Sequence, residues 1–286
     1  MQIIARPSEL RDRVNEWRRN SERVAFVPTM GNLHAGHGSL VKEARKRAQR
    51  VVVSVFVNPL QFGPNEDYGS YPRTPEEDRQ LLEQLGVDVL FVPEVEDMYP
   101  HGQATTSRVQ VPELDSILCG AFRPGHFTGV ATIVTKLLNL VQPDLALFGE
   151  KDFQQLMIIR RATDDLCMPI EIVGVATTRE QDGLAMSSRN RYLSSQDRAV
   201  APRIFAELDN TRRQIESGSG NFEALERAGF EALKSVGFKP DYYSIRDASS
   251  LLTPSPQSRE VVILAAARIG RARLIDNVRA MIAKRA

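Results

Sequence analysis

Cysteine is scarce in this chain: Cys119 and Cys167 are the two present among 286 residues. Neither stands at metal-ligand spacing, and together they make no disulfide framework, which points to a reducing compartment such as the cytoplasm. Both are expected to be small buried apolar residues. Charge of one sign is lacking too. Lys and Arg total 37 against 36 acidic residues, a formal net charge of +1, which argues against a general nucleic-acid or membrane-surface binder. No apolar run approaches the ~20 residues of a membrane-spanning helix. The opening "MQIIARPSELRDRV" lacks the basic-then-apolar layout of a signal peptide. Internal repeats and low-complexity segments are absent as well. What remains is an ordinary globular composition, 42% apolar and 26% charged, long enough for about two domains at ~150 residues each.

What is present is an ordered alternation. "RVAFV" (23–27), "VVVSVFV" (51–57), "VDVLFVP" (87–93), "DLALFG" (144–149) and "IEIVGVA" (170–176) are short apolar runs of the kind buried in parallel sheets. Helical patterns separate them. "TPEEDRQLLEQLG" has Thr74 as N-cap, Pro75 at the first helical position, acids in the first turn and Gly86 as its stop. "FTGVATIVTKLLNLV" and "DFQQLMIIRRATDDL" supply two more helices. Strand, helix, strand, repeated, predicts an α/β Rossmann-like domain with a doubly wound parallel sheet over residues 1–178. Beyond it, helices near 197–217 and 222–236 precede "DYYSIRD", "EVVILAAARIG" and "ARLIDNV". These predict a smaller α+β domain with an antiparallel sheet, residues 179–286.

Ligands in such sheets bind beyond the carboxyl ends of the strands, and the chemically distinctive residues fall there. "PTMGNLHAGH" places His34 and His37, half of the four histidines, between a strand and a helix. The stretch is not the dinucleotide fingerprint GxGxxG. A loop at a helix N-terminus gathers backbone N–H groups and the positive end of the helix dipole, and two imidazoles there can donate to phosphate. The competing reading is that the rings merely cap the helix. In "GEKD" (149–152), Lys151 can neutralise phosphate charge and Asp152 can hold Mg²⁺; both can equally be a solvated helix start. "MSSRN" (186–190) adds hydroxyls and Arg189, whose fork suits phosphate. Arg123 and His126 of "FRPGHFTG" precede a helix, with His126 equally readable as a structural turn residue. The loops together describe a triphosphate and metal site without a Walker lysine loop. Uncharged Gln61 and Gln155 suit the hydroxyl and carboxylate groups of a small substrate.

HxGH followed by a later Lys/Ser phosphate loop resembles the nucleotidyltransferase superfamily that includes class I aminoacyl-tRNA synthetases. Within it, "PTMGNLHAGH", "VFVNPLQFGPNEDYGSYPRT", "FRPGHFTGVATIVTKLLNLVQPDLALFGEKDFQQL", "TREQDGLAMSSRNRYLS" and "RLIDN" resemble the pantoate–β-alanine ligase family from the first strand to the last. The resemblance implies an enzyme that condenses ATP, (R)-pantoate and β-alanine through pantoyl adenylate to pantothenate, AMP and pyrophosphate. Carried over residue by residue, it implies that Met30, Gly31, Asn32, Leu33, His34, Ala35, Gly36 and His37 line the ATP site. Gly149, Glu150, Lys151, Asp152, Thr178, Met186, Ser187, Ser188 and Arg189 would complete it. The implied catalytic residues are His37, His34, Lys151 and Arg189. Gln61, Gln155, Asn58 and Arg123 would hold pantoate or β-alanine, and Asp152 and Asp78 would contact Mg²⁺. A homodimer is implied, with the smaller domain closing over the site. "NEDYGSYPRT" (65–74) is expected to be a mobile flap. The sequence departs from the family at Gly38, where a bulky aliphatic residue is usual, and at Ala176, where proline is common. Two rivals stay open: a cytidylyl- or adenylyltransferase, whose nucleotide stays in the product, and a nucleotide-sensing module on the same fold.

Overall fold

Six strands, all parallel, form the larger sheet of the computed structural model, in the order β1-β4-β3-β2-β5-β6. The structure describes residues 1–64 and 66–283. The strands are β1 (Gln2–Ile4), β2 (Val24–Thr29), β3 (Arg50–Val55), β4 (Val89–Phe91), β5 (Leu145–Gly149) and β6 (Glu171–Val175). Around them run α1 (Pro7–Arg19), α2 (Ala35–Arg47), α3 (Pro75–Gln84), α4 (Val95–Met98), α5 (Cys119–Phe122), α6 (His126–Val141) and α7 (Phe153–Asp165). The doubly wound reading is thus borne out. It did not include β1 and α1, which start the chain with Pro7 at the first helical position and Leu10, Val14 and Trp17 on the buried stripe.

The chain leaves β2 toward β3 and β4 and returns to place β5 on the other side of β2. The order therefore reverses between β2 and β5, the position where open α/β sheets hold their ligands. Both faces of the sheet are covered. Phe26, Val52 and Phe91 pack toward α1 and α6, whereas Val27, Val53 and Leu147 pack with Val41 and Ala44 of α2.

Local details depart from expectation. Thr74 makes no capping hydrogen bond to α3; its hydroxyl donates to Asp78 Oδ1 at 3.1 Å. Cys119 is buried, but Cys167 is exposed, lying past α7 with φ +52° in a turn. Of the expected flap, Asn65 lies outside the described residues; the remainder carries turns, with the Arg73 guanidinium over the Tyr68 ring. At Gly38 an added methyl would stand 3.5 Å from Leu85, an ordinary contact. Gly38→Ala is therefore expected to stabilise the protein by about 0.5–1 kcal/mol, by removing glycine's backbone freedom from α2. Urea unfolding of the two proteins measures it.

By its contacts the chain divides into two units, Met1–Glu150 with Gln155–Ala176, and Lys151–Gln154 with Thr177–Ala286. The expected boundary at 178 did not assign Lys151–Gln154 to the second group. In that second unit α8 (Ser195–Val200), α9 (Arg203–Glu216) and α10 (Phe222–Ser235) accompany an antiparallel sheet of β7 (Lys239–Asp247), β8 (Glu260–Ile269) and β9 (Ala272–Met281). The single helix expected over 197–217 is two, separated at Pro202, whose ring cannot continue a helical ladder. Its core joins Ile204, Leu208 and Leu233 to the apolar face of β8.

Candidate active site

In the first unit the loop after β2 is built around a buried carboxylate. Gly31 and Asn32 take left-handed conformations, φ +82° and +50°, so successive N–H groups turn inward. Asp78, 3% exposed, accepts from Asn32 N–H at 2.9 Å and Leu33 N–H at 2.7 Å. Gly31 is required here twice over. Its φ suits glycine, and a Cβ would stand 2.9 Å from Val55 Cγ1 and 3.0 Å from Asp78 Oδ2. The Asp78 carboxylate, expected to contact Mg²⁺, braces this loop through both of its oxygens.

The two histidines come next. His34 is the N-cap of α2, and its Nδ1 accepts from Gly36 N–H at 3.1 Å. His37 Nδ1 accepts in return from His34 N–H at 3.3 Å, with the ring centroids 4.2 Å apart. The capping reading is therefore correct for both rings, and it does not compete with phosphate binding. A neutral imidazole that accepts at Nδ1 carries its proton on Nε2, so each ring is fixed as an Nε2–H donor. The expected cradle of backbone N–H groups is a different matter. Those of Gly31, Asn32, Leu33, His34 and Gly36 are taken by Thr29, Asp78, His37 and His34. Those five backbone donors are therefore engaged within the protein.

Beyond β3, Asn58 caps the 3₁₀ turn Pro59–Gln61. Asn58 was expected on the substrate, but it is 1% exposed and its amide is saturated within the protein. It donates to Gln61 Oε1 and Gly129 O, both at 3.1 Å, and accepts from Tyr99 O–H at 2.6 Å and Leu60 N–H at 3.3 Å. Burial in turn pushes the Tyr99 phenol well above its ordinary range. Helix α6 lies so close that a Cβ on Gly129 would stand 2.4 Å from Leu60 O and 2.7 Å from Gln61 N. Gln61 is thereby fixed, with its Nε2 3.0 Å from the Met30 sulfur. Gln155 stands half-buried one turn into α7.

Arg123 was expected on a substrate carboxylate and instead grips Glu66, through Nε and Nη2 at 2.6 Å each. Burial raises the Glu66 carboxyl, but the guanidinium outweighs it and holds the group below the ordinary carboxylate range. Arg123 Nη1 also lies 2.9 Å from His126 Nε2, and His126 Nδ1 lies 2.7 Å from Gln61 O. The structural reading of His126 is the one realised.

In the second unit, Lys151 and Asp152 occupy the 3₁₀ turn Glu150–Asp152, with Lys151 Nζ 3.7 Å from Asp152 Oδ1. Thr178 O accepts from Met186 N–H at 3.0 Å, and an antiparallel bridge joins Arg179 to Ala185. Thr178 is thereby brought beside the segment that ends at Ser187, whose Oγ accepts from Arg189 N–H at 3.3 Å. Beneath it lies a pair that inspection of the motifs missed. Arg179 binds Asp276 through Nη1 at 2.6 Å and Nη2 at 3.0 Å, and stacks 3.9 Å above the Phe205 ring. An acid at an inward position of the alternating "LIDNVRA" was the available signal.

A parallel α/β sheet with the HxGH loop after β2, at the point where its strand order reverses, is the arrangement in which such folds hold their ligands. The family model for pantoate-beta-alanine ligase matches residues 2–279. A pantothenate synthetase of Idiomarina loihiensis is 54% identical over 279 residues, covering 98% of both chains. That of Pseudomonas savastanoi pv. phaseolicola is 52% identical over 278 residues, 97% of this chain and 98% of its own. The crystal structure of pantothenate synthetase from Thermus thermophilus superposes with a TM-score of 0.90 at 50% identity, covering 97% of this chain and 99% of that one. The ligase of Francisella tularensis, crystallised with β-γ ATP and β-alanine, gives a TM-score of 0.80 at 37% identity, covering 97% of each. The chain belongs to the pantoate–β-alanine ligase family. It is a carbon–nitrogen ligase of pantothenate formation.

Proposed function

We propose that this enzyme works in two steps, with ATP as co-substrate and an acyl adenylate between them. A pantoate carboxylate oxygen attacks the α-phosphorus of ATP, and the bond to pyrophosphate breaks. The β-alanine amine then attacks the acyl carbon of pantoyl adenylate, AMP leaves with the bonding pair, and the amine loses a proton as the amide forms. Neither step needs a protein nucleophile, so catalysis rests on positioning and on donors aimed at developing charge. The observation that carries the reading is the reciprocal capping of His34 and His37, which fixes both rings as Nε2–H donors. Lys151, Arg189 and the Ser187 and Ser188 hydroxyls supply the remaining donors to phosphate, and Met30 to His37, Gly149 to Asp152, Thr178 and Met186 form the ATP-binding set.

Gln61 reads pantoate from a turn that Asn58 holds rigid, with Gln155 as its partner amide. A site built to hydrogen-bond hydroxyl groups rejects acids lacking them, which would spare β-alanine from adenylation. Mg²⁺ suits the residues in one form. Among the described residues no cluster of three or more His, Cys, Asp or Glu is placed to hold a metal ion, and Mg²⁺ commonly uses one or two carboxylates with phosphate oxygens and water. Asp152 would hold it. When bound it would offset phosphate charge. Homodimerisation and a cytoplasmic setting go with the same reading.

The test withholds β-alanine. Exchange of labelled pyrophosphate into ATP is expected to proceed with pantoate alone, and to stop when pantoate is omitted. Exchange that also required β-alanine would remove the separate adenylation step. A product that retained the nucleotide, instead of free AMP, would favour a nucleotidyltransferase.

A further inference from the structure

Asp276 and Asn277 stand side by side on β9, and consecutive strand residues address opposite faces. The Asp276 side chain is 1% exposed and receives the Arg179 fork. Asn277, itself 6% exposed, turns its amide to the segment that carries the lysine, donating from Nδ2 to Lys151 O at 2.9 Å. The Asn277 main chain is held from both sides by the ion pair. Its N–H donates to Asp276 Oδ1 at 2.8 Å, and its carbonyl accepts from Arg179 Nη2 at 3.2 Å. Arg179 is fixed in turn by Gly183 O at 3.1 Å and by the Phe205 ring. Burial holds the Asp276 carboxyl above its ordinary range, although Arg179, the Asn277 N–H and the Lys151 charge each pull against it. A buried, bidentate, doubly anchored assembly therefore ends on one main-chain carbonyl, that of Lys151.

We infer that Asn277 is a positioning residue for Lys151, gripping the lysine's carbonyl so that its ammonium is presented from a fixed base, with Arg179 and Asp276 holding Asn277 in place. This rests on the role proposed for Lys151 above. A flexible four-carbon side chain delivers its charge accurately only when its Cα is fixed, and modest misplacement of a charge-stabilising group lowers the rate of the step it serves.

A structural amide would also hold the turn; the two roles part when the lysine is removed. The experiment measures kcat, ATP KM and thermal unfolding for Asn277→Ala, Asn277→Leu, Lys151→Ala and the Lys151→Ala/Asn277→Ala double variant. Leucine nearly keeps the shape and loses the polar amide, so it separates the amide's hydrogen bonding from a cavity. Either change at Asn277 is expected to lower kcat about 10- to 100-fold. On the Lys151→Ala background, Asn277→Ala is expected to lower it by less than about twofold further, because the group it positions is gone. Equal losses on both backgrounds, or an unchanged kcat in Asn277→Leu, would overturn the inference. A wild-type rate in Lys151→Ala would overturn the lysine's own role, and the inference with it.

Discussion

His37→Ala is expected to lower kcat for pantothenate formation by about 10²- to 10³-fold, roughly 3–4 kcal/mol of transition-state stabilisation, as for loss of one preorganised donor to developing charge. The same change also removes the acceptor for His34 N–H, which costs about 1 kcal/mol as loss of a helix cap does. The two consequences separate in His37→Asn. A short amide oxygen at that position still accepts from the backbone, but it places no donor where the imidazole Nε2–H stands. His37→Asn is expected to unfold near the wild-type temperature and to be nearly as slow as His37→Ala. Steady-state rates with thermal unfolding decide it. A fast His37→Asn would mean that the ring serves α2 alone.

Asp78→Asn is expected to destabilise the protein by about 3 kcal/mol, because two charge-assisted hydrogen bonds weaken at once. One amide oxygen cannot replace two carboxylate oxygens, each of which takes its own backbone N–H. Part of the loop is left facing an amide NH₂ group. With the loop displaced, kcat is expected to fall about 10- to 100-fold, since the histidines that follow Leu33 lose their footing. Urea unfolding and the Mg²⁺ dependence of the rate are to be measured together. Unaltered stability with a raised Mg²⁺ requirement would return Asp78 to the metal.

The parts legible in the sequence were those with short-range signals. "VVVSVFV" announced a strand buried on both faces, and β3 runs Arg50–Val55 with Val51, Val52 and Val53 inaccessible. HxGH drew attention through spacing, and the ring geometry gives it chemical content. What was not legible joins residues far apart in the chain. Nothing near "GNLH" signals that its N–H groups belong to Asp78, 46 residues on. Asn58 and Arg123 have chemistry that suits a substrate, yet protein groups satisfy both, Tyr99 and Gly129 for one and Glu66 for the other. Residue type states what a side chain can bind, whereas burial states whether that capacity is already taken. Pro202 was legible and passed over, because the apolar periodicity runs through it from α8 to α9.

The near-contact of Gly129 with Leu60 and Gln61 bears on how the acid specificity of such an enzyme can be altered. Helix α6 and the turn Pro59–Gln61 share a backbone seam with no side chain in it, sealed by Asn58 reaching across to Gly129 O. A graft of that turn from a relative with different acid preference would bring its own seam geometry against an unchanged helix, and the mismatch would fall on Gln61. The exchangeable module is therefore the turn together with α6, transplanted as one piece. Retuning by single residues belongs to side chains outside that module, with Met30 after β2 and Gln155 on α7 the first positions to vary.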